Sequence, residues 1–110
     1  MNIYVEVNGT RYPAIITGKL KDKDWDDRAS KAITLEMAYA DAVVLFVNDV
    51  DWNIVEEPDE NEEGAVEIIT HDNSEYSITG DIIDHRNGTI TVKMGKPTAE
   101  EILAVLAGEV

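Results

Sequence analysis

The sequence contains no cysteine, and only nine of its 110 residues are basic. Without cysteine there is no disulfide, no thiolate zinc site and no thiol nucleophile, a composition that fits a reducing cytoplasm. The 23 acidic residues leave a net charge of −14. Such a charge argues against unspecific binding to nucleic acid or to an anionic membrane, because both depend on lysine and arginine.

Catalytic and targeting patterns are also missing. No apolar run is long enough to span a bilayer, and the first residues lack the basic start and apolar core of a signal peptide. Gly80, Gly88 and Gly95 are separate turn residues and form no phosphate-binding loop. None of the three serines lies in a nucleophile elbow. We therefore expect a non-enzymatic protein without a cofactor or a small-molecule substrate.

Alternation of apolar and polar residues predicts a β-rich fold. The length indicates one domain over residues 1–110. We expect an α+β protein, mainly antiparallel β, with about six strands in a small sandwich or roll. Two Asn-Gly turns, at residues 8–9 and 87–88, predict hairpins. Two short helices are expected near 38–48 and 98–107.

The first hairpin defines its own register. If the turn at residues 8–9 has two residues, Val5 lies opposite Tyr12 and Glu6 opposite Arg11, an opposite-charge pair on the solvent side. Pro13 cannot donate to the ladder, which places the second strand at an edge of the sheet or at a bulge. At the second turn, two residues would place His85 opposite Ile90.

The two helices differ in their signals. In the first, one face carries the apolar residues Tyr39, Val43, Phe46 and Val47 at helical spacing. The second begins with a capping box formed by Thr98 and Glu101, and Gly108 marks its end. Its apolar face consists of Ile102, Val105 and Leu106, with Leu103 alongside.

Charge is distributed unevenly along the chain. Residues 1–31 have a net charge of +1 and residues 32–110 of −15, and five of the nine basic residues lie between Lys19 and Lys31. One interpretation is head-to-tail stacking of copies through heterologous contacts. The other is a solvated acidic surface that keeps the protein soluble. The acidic stretch 56–64 is expected to be a loop.

The charged segment 19–30 contains the candidate protein-binding residues. Trp25 lies among charged residues that include Lys23 and Arg28, and tryptophan and arginine are enriched in interface hot spots. The alternative is that the ring folds back on the sheet and anchors the loop.

Metal binding is not expected. Partial calcium-loop patterns begin at Asp22, Asp49 and Asp59, and each lacks a residue that the pattern requires. His71 and His85 would form a site with carboxylates only if their two regions met in space. Each histidine is otherwise a surface or half-buried residue.

Several stretches resemble small prophage-encoded proteins of Gram-positive gut bacteria. They are residues 7–14 (VNGTRYPA), 22–26 (DKDWD), 31–37 (KAITLEM), 72–76 (DNSEY), 80–82 (GDI), 84–86 (DHR) and 91–98 (TVKMGKPT). Genes of this group lie among tail and baseplate genes, so the resemblance implies a phage structural or assembly protein in the host cytoplasm or the virion. Its partners would be other phage structural proteins or itself. The alternative is an acidic, phage-encoded regulatory binder that mimics nucleic acid or inhibits a partner.

Overall fold

The computed structural model describes residues 2–58 and 67–108. Within them the chain forms seven strands and two helices in the order β1–β3, α1, β4–β7, α2. The strands are β1 (Asn2–Val7), β2 (Thr10–Asp22), β3 (Arg28–Glu36), β4 (Trp52–Glu57), β5 (Ile69–Asp72), β6 (Ile78–Asp84) and β7 (Thr89–Gly95). The helices are α1 (Tyr39–Leu45) and α2 (Ala99–Leu106).

All seven strands belong to one antiparallel sheet with the order β5-β4-β1-β2-β3-β7-β6. The prediction of a mainly antiparallel α+β fold with two short helices is therefore confirmed. In the described residues, neither helix is long and apolar enough to cross a membrane.

The first hairpin has the predicted register. Val5 pairs with Tyr12 and Glu6 with Arg11, and the Arg11 Nε donates to a Glu6 carboxylate oxygen at 2.9 Å. Asn8 and Gly9 both have positive φ, 52° and 79°, as a two-residue turn that follows the twist of its strands requires.

Strand β2 departs from the sequence prediction. It has 13 residues and extends to Asp22, through the beginning of the segment predicted as a loop. It lies inside the sheet, pairing with β1 up to Pro13 and with β3 from Ala14 onward. The edge position predicted from Pro13 is therefore wrong. The proline is accommodated because it stands where the strand changes partners, and the irregular register lies further on, between Lys19 and Asp22.

Within the described residues, one apolar core includes side chains from both halves of the sheet. Val5, Val7 and Trp52 come from the half that contains β1 and β4, and the other half contributes β3 and β7. Helix α1 adds Ala42 and Phe46. The other buried members are Ile33, Leu35, Ile90, Val92 and Met94.

The second Asn-Gly turn is longer than predicted. Asp84 pairs with Ile90, and the backbone N–H of His85 donates to the carbonyl of Thr89 at 3.1 Å. Arg86 and Gly88 have positive φ there. His85 therefore does not lie opposite Ile90, because the loop takes in an additional residue.

Two further boundaries differ from the sequence prediction. The alternation of Val66 and Ile68 with Glu67 and Ile69 predicts a strand, but the structure shows a strand only from Ile69, and Val66 lies outside the described residues. The acidic stretch 56–64 begins inside β4, which includes Glu56 and Glu57. Residues 59–64 lie outside the described part of the chain.

Candidate protein-interaction site

The turn between β2 and β3 is organised by Asp22. Its backbone carbonyl accepts hydrogen bonds from the N–H groups of Trp25 and Asp27 at 3.0 and 2.9 Å, and its side chain accepts one from the N–H of Asp24 at 3.1 Å. Asp26 and Asp27 have positive φ, a conformation that aspartate tolerates better than most residues. The turn is therefore tight, and Trp25 has a defined direction.

The Asp22 carboxylate is completely buried and fully used. It accepts hydrogen bonds from the Lys93 ammonium at 2.8 Å and from the Ser30 hydroxyl at 3.0 Å. Above all, the Lys93 ammonium lowers the pKa of Asp22 from 3.8 to about 2, against the opposing effect of burial. This carboxylate therefore serves the fold and is not available to a calcium ion.

Two glycines on the outer face of the sheet make room for the Trp25 ring. A Cβ atom at Gly80 would lie 2.8 Å from the ring, and one at Gly95 would lie 2.7 Å from it. Because no side chain fits beneath the ring, glycine is required at both positions for this packing. Trp25 is half-buried there, and its ring is stacked by the Arg28 guanidinium, 4.7 Å from the ring centroid.

Arg28 connects this turn to the start of α2. Its guanidinium forms two parallel hydrogen bonds with the Glu101 carboxylate, at 2.8 and 3.0 Å. It also donates to the backbone carbonyls of Trp25 and Lys96, at 3.3 and 3.1 Å. A planar guanidinium matches a carboxylate in this geometry. Its side chain is only 4% exposed, so Arg28 acts as an internal clamp.

Glu101 has two roles. Its carboxylate accepts from the backbone N–H of Thr98 at 2.8 Å while its own N–H donates to the Thr98 hydroxyl, which confirms the predicted capping box. The same carboxylate binds Arg28, and the guanidinium lowers the pKa of Glu101. Gly108 has the positive φ expected after a helix end.

Beyond this clamp, α2 is held by very little. None of its eight residues is buried. Its apolar side chains are open to solvent: Ile102 is 48% exposed, Leu103 64%, Val105 64% and Leu106 78%. The predicted apolar face of the helix exists, but it does not cover the sheet.

Helix α1 also exposes apolar residues, and its predicted inner face is mostly wrong. Phe46 is in the core, together with Ala42. Tyr39, Val43 and Val47 of the predicted face are each 44–47% exposed. Val44 is exposed as well. The end of α1 is joined to β6 by Thr79, whose hydroxyl donates to the carbonyl of Phe46.

The three predicted protein-binding residues lie together at this end of the molecule, in different environments. Trp25 and Arg28 hold the loop and α2 to the sheet, whereas Lys23 is exposed. Their role in binding stays a prediction. Sequence reasoning missed Asp22 and Glu101 as members of this cluster, because their partners Lys93 and Arg28 lie 71 and 73 residues away in the chain.

Metal ligands do not converge in the described part of the chain, where no group of three or more suitable side chains is found. His71 contacts Glu56, with 2.9 Å between Nε2 and a carboxylate oxygen, and His85 contacts the Thr91 hydroxyl. The calcium pattern that begins at Asp59 lies outside the described residues.

A groove of about 770 Å³ follows the bend of β2. It is lined by both strands beside β2, and its titratable residues are Tyr4, Tyr12 and Glu36. This lining places no base beside a nucleophile.

Comparison with known proteins gives no match to a family model, a curated protein or a solved structure. The resemblance to prophage proteins therefore stays a prediction.

Proposed function

We propose that this chain is a non-enzymatic structural or assembly protein of a phage tail module, which acts through protein–protein contacts. The observation that carries the proposal is helix α2, clamped at its base and apolar along its exposed side. Isolated helices of this length are marginal in water. The clamp by Arg28 therefore orders a helix that contains no buried residue.

Pre-ordering of α2 has a consequence for binding. Burial of its four large apolar side chains in a complex would favour association by roughly 25 cal/mol per Å². Because the helix is already held, a partner does not have to order it, which reduces the entropic cost of binding. A clamped, exposed apolar helix is therefore well suited to recognition.

A second apolar surface supports a role in assembly, because a building block needs more than one contact. The exposed residues Tyr39, Val43, Val44 and Val47 on α1 form this surface. Phe46, at the end of α1, belongs to the core on the inner face of the sheet, whereas Arg28, which binds Glu101 of α2, lies beside Gly95 on the outer face. The two helices are therefore connected to opposite faces of the sheet.

The phage assignment rests on the sequence resemblance. On this assignment, the partners are other phage structural proteins or the chain itself, and the location is the host cytoplasm or the virion. Tail assembly proteins require contacts and no cofactor, and the two exposed helix faces are compatible with that requirement.

Site-specific photo-cross-linking in the producing strain tests the proposal. A photoreactive amino acid replaces Leu103 on α2 or Val44 on α1, and Ile15, which is 71% exposed on β2, serves as the control position. We expect adducts with virion or tail-assembly proteins, or with the chain itself, from the helices and not from Ile15. Absence of such adducts contradicts the proposal. Adducts with a nucleic-acid-binding protein would instead favour an acidic regulatory binder.

A further inference from the structure

At the end of the molecule formed by the Trp25 turn and α2, the turn carries equal numbers of basic and acidic side chains, and α2 adds Glu100 and Glu101. Residues 19–28 contain four basic and four acidic side chains, so the net charge of −14 comes entirely from the rest of the chain. Within this segment Asp22 and Arg28 satisfy partners inside the fold. The exposed charges are those of Lys19, Lys21, Lys23, Asp24, Asp26 and Asp27.

A cleft between the turn and α2 is lined mainly by acidic residues. It has a volume of about 500 Å³ and is lined by Asp26, Asp27, Thr98, Ala99, Glu100 and Glu101. The carboxylates of Asp26, Asp27 and Glu100 are exposed there. A lysine side chain from another molecule has the charge that this cleft accepts.

Exposed apolar side chains occur beside the lysines, on β2, and beside the acidic cleft, on α2. Leu20 lies between two of the lysines and is 92% exposed, and the four large apolar side chains of α2 are 48–78% exposed. Together these five side chains present on the order of 500 Å² of apolar surface. A standard interface buries about 800 Å² on each partner, and a little over half of that area is apolar. The exposed apolar surface at this end is of the same size.

We propose that two copies of the chain associate through this end in a two-fold symmetric contact. Leu20 and α2 of each copy pack against those of the other, and the lysines at 19, 21 and 23 of each copy face the acidic cleft of the other. A surface that carries both members of a complementary pair is self-complementary, and a two-fold contact closes at the dimer. This inference rests on the proposed function and names one of its partners.

Charge explains why a second copy is favoured here. Away from this end, contact between two copies brings together surfaces that are acidic in sum, and like charges oppose it. At this end three exposed lysines offset most of the exposed carboxylates, so the repulsion between two copies is weaker here than elsewhere.

Light scattering coupled to size-exclusion chromatography tests the dimer with the full chain. We expect twice the chain mass of 12.2 kDa at an ionic strength of about 0.15 M, where the net repulsion between two acidic copies is screened beyond about 8 Å. A monomer at the highest soluble concentration overturns the inference. A polymer that grows with concentration also overturns it, because it requires a heterologous contact.

Substitutions on α2 locate the interface. Leu103→Ser combined with Leu106→Ser removes two side chains that are 64% and 78% exposed in the single chain, and we expect at least about a tenfold rise in the dimer dissociation constant. The matched control is Ile15→Ser, on the β2 residue that is 71% exposed, which leaves the constant unchanged. An equal effect of both changes assigns the contact to another face and contradicts the proposal.

A charge exchange tests the pairing itself. The first variant carries Lys21→Glu and Lys23→Glu. The second carries Asp26→Asn, Asp27→Asn and Glu100→Lys, with asparagine chosen because it tolerates the positive φ at residues 26 and 27. Each variant alone is expected to be monomeric, and an equimolar mixture to form a heterodimer. A mixture that stays monomeric while the native chain is dimeric rejects the charge pairing.

The two proposals fail separately. A monomeric chain whose α2 cross-links to a virion protein retains the proposed function and rejects the dimer. A dimer broken by the α2 substitutions, without any virion cross-link, retains the dimer and rejects the tail function.

Discussion

The two helices are similar in length and are attached to the sheet in opposite ways. Helix α1 has Ala38 at its N-cap, where the structure shows no side-chain hydrogen bond, and it is held by burial of Ala42 and Phe46. Helix α2 has a complete capping box and an ion pair with two parallel hydrogen bonds, and it contains no buried residue. One helix is part of the core, and the other is fastened at its first turn.

This difference has an energetic consequence. Burial of a large apolar side chain contributes about 1.5–3 kcal/mol, and it is lost only when the core opens. A partly exposed ion pair contributes less and depends on pH and salt. Loss of the α2 clamp is therefore expected to be local, whereas loss of the α1 contact affects the whole domain. Five predictions test this comparison.

The largest effect is expected from Phe46→Ala. Phe46 is 1% exposed in the core, and its truncation creates a cavity, at a cost of about 3–5 kcal/mol in the free energy of unfolding. Urea denaturation of the variant and the native chain measures it. Val44→Ala on the exposed side of the same helix is the control and changes stability by less than about 0.5 kcal/mol. Similar losses in the two variants would refute core attachment of α1.

Gly95→Ala is expected to detach the Trp25 side of the molecule. The new Cβ would lie 2.7 Å from both the Trp25 ring and the Arg28 Cδ, so the ring must move, at a cost of about 1–3 kcal/mol. The indole N–H resonance of Trp25 in NMR spectra reports the displacement of the ring, and the indole N–H resonance of Trp52 reports the state of the core. Gly18→Ala, whose Cβ has no neighbour closer than 3.9 Å, leaves both resonances in place.

Acid is expected to weaken the Asp22 side before the α1 side. The folded-state pKa of Asp22, about 2, is below its ordinary value of 3.8, so its contribution is fully present above pH 3.8 and is lost as the pH falls toward 2. The Arg28 guanidinium also lowers the pKa of Glu101, which gives this carboxylate the same direction of loss below its ordinary 4.5.

Urea midpoints measured from pH 6 to pH 2 check this expectation, with the two indole resonances as local reporters. Asp22→Asn is expected to be less stable at neutral pH, because Lys93 loses its charged partner. It is also expected to show a flatter decline below pH 4. An identical acid profile in the variant would show that Asp22 is not responsible.

The local signals in the sequence predicted local structure well. The register of the first hairpin follows from one Asn-Gly pair, and the capping box of α2 follows from Thr98 and Glu101 three residues apart. Both depend only on residues close in the chain. The strand continuation from Lys19 to Asp22 was missed, because its charged side chains resemble a loop and its pairing partners lie on β3.

The candidate site was only partly predictable. Trp25 stands out by its type and surroundings, but the two glycines that receive its ring are 55 and 70 residues further along the chain. Helical periodicity identified apolar residues on both helices without showing which of them would be covered. On α1 the choice between Ala42 and Val43 as the inward residue depends on contacts with β6 and β7, which periodicity does not contain.

Glu101→Gln removes the ion pair with Arg28 but retains the capping box with Thr98. Glutamine maintains a capping box but loses the charged pair with Arg28, so we expect a small change in global stability, about 1 kcal/mol. Hydrogen exchange of the α2 amides is expected to rise, while exchange in α1 stays as it was. Glu100→Gln, on the exposed neighbouring carboxylate, is the control for charge alone. Equal hydrogen exchange of the α2 amides in both variants would show that the ion pair with Arg28 does not hold α2 in place.

The smallest effect is expected from giving α1 the cap that it lacks. Ala38 has φ −70° and ψ 141°, the extended conformation of an N-cap residue, so Ala38→Ser can accept a hydrogen bond from an N–H of the first turn without backbone change. We expect a gain of about 0.5 kcal/mol, at the low end for such caps, because Phe46 already fixes the helix. The converse change, Thr98→Ala, removes a cap that α2 has no burial to replace. Urea denaturation should therefore show a slight gain in stability for Ala38→Ser. Hydrogen exchange of the α1 amides should change little in that variant, whereas exchange of the α2 amides should rise in Thr98→Ala. Equal and opposite exchange effects in the two helices would mean that caps, and not burial, hold both of them.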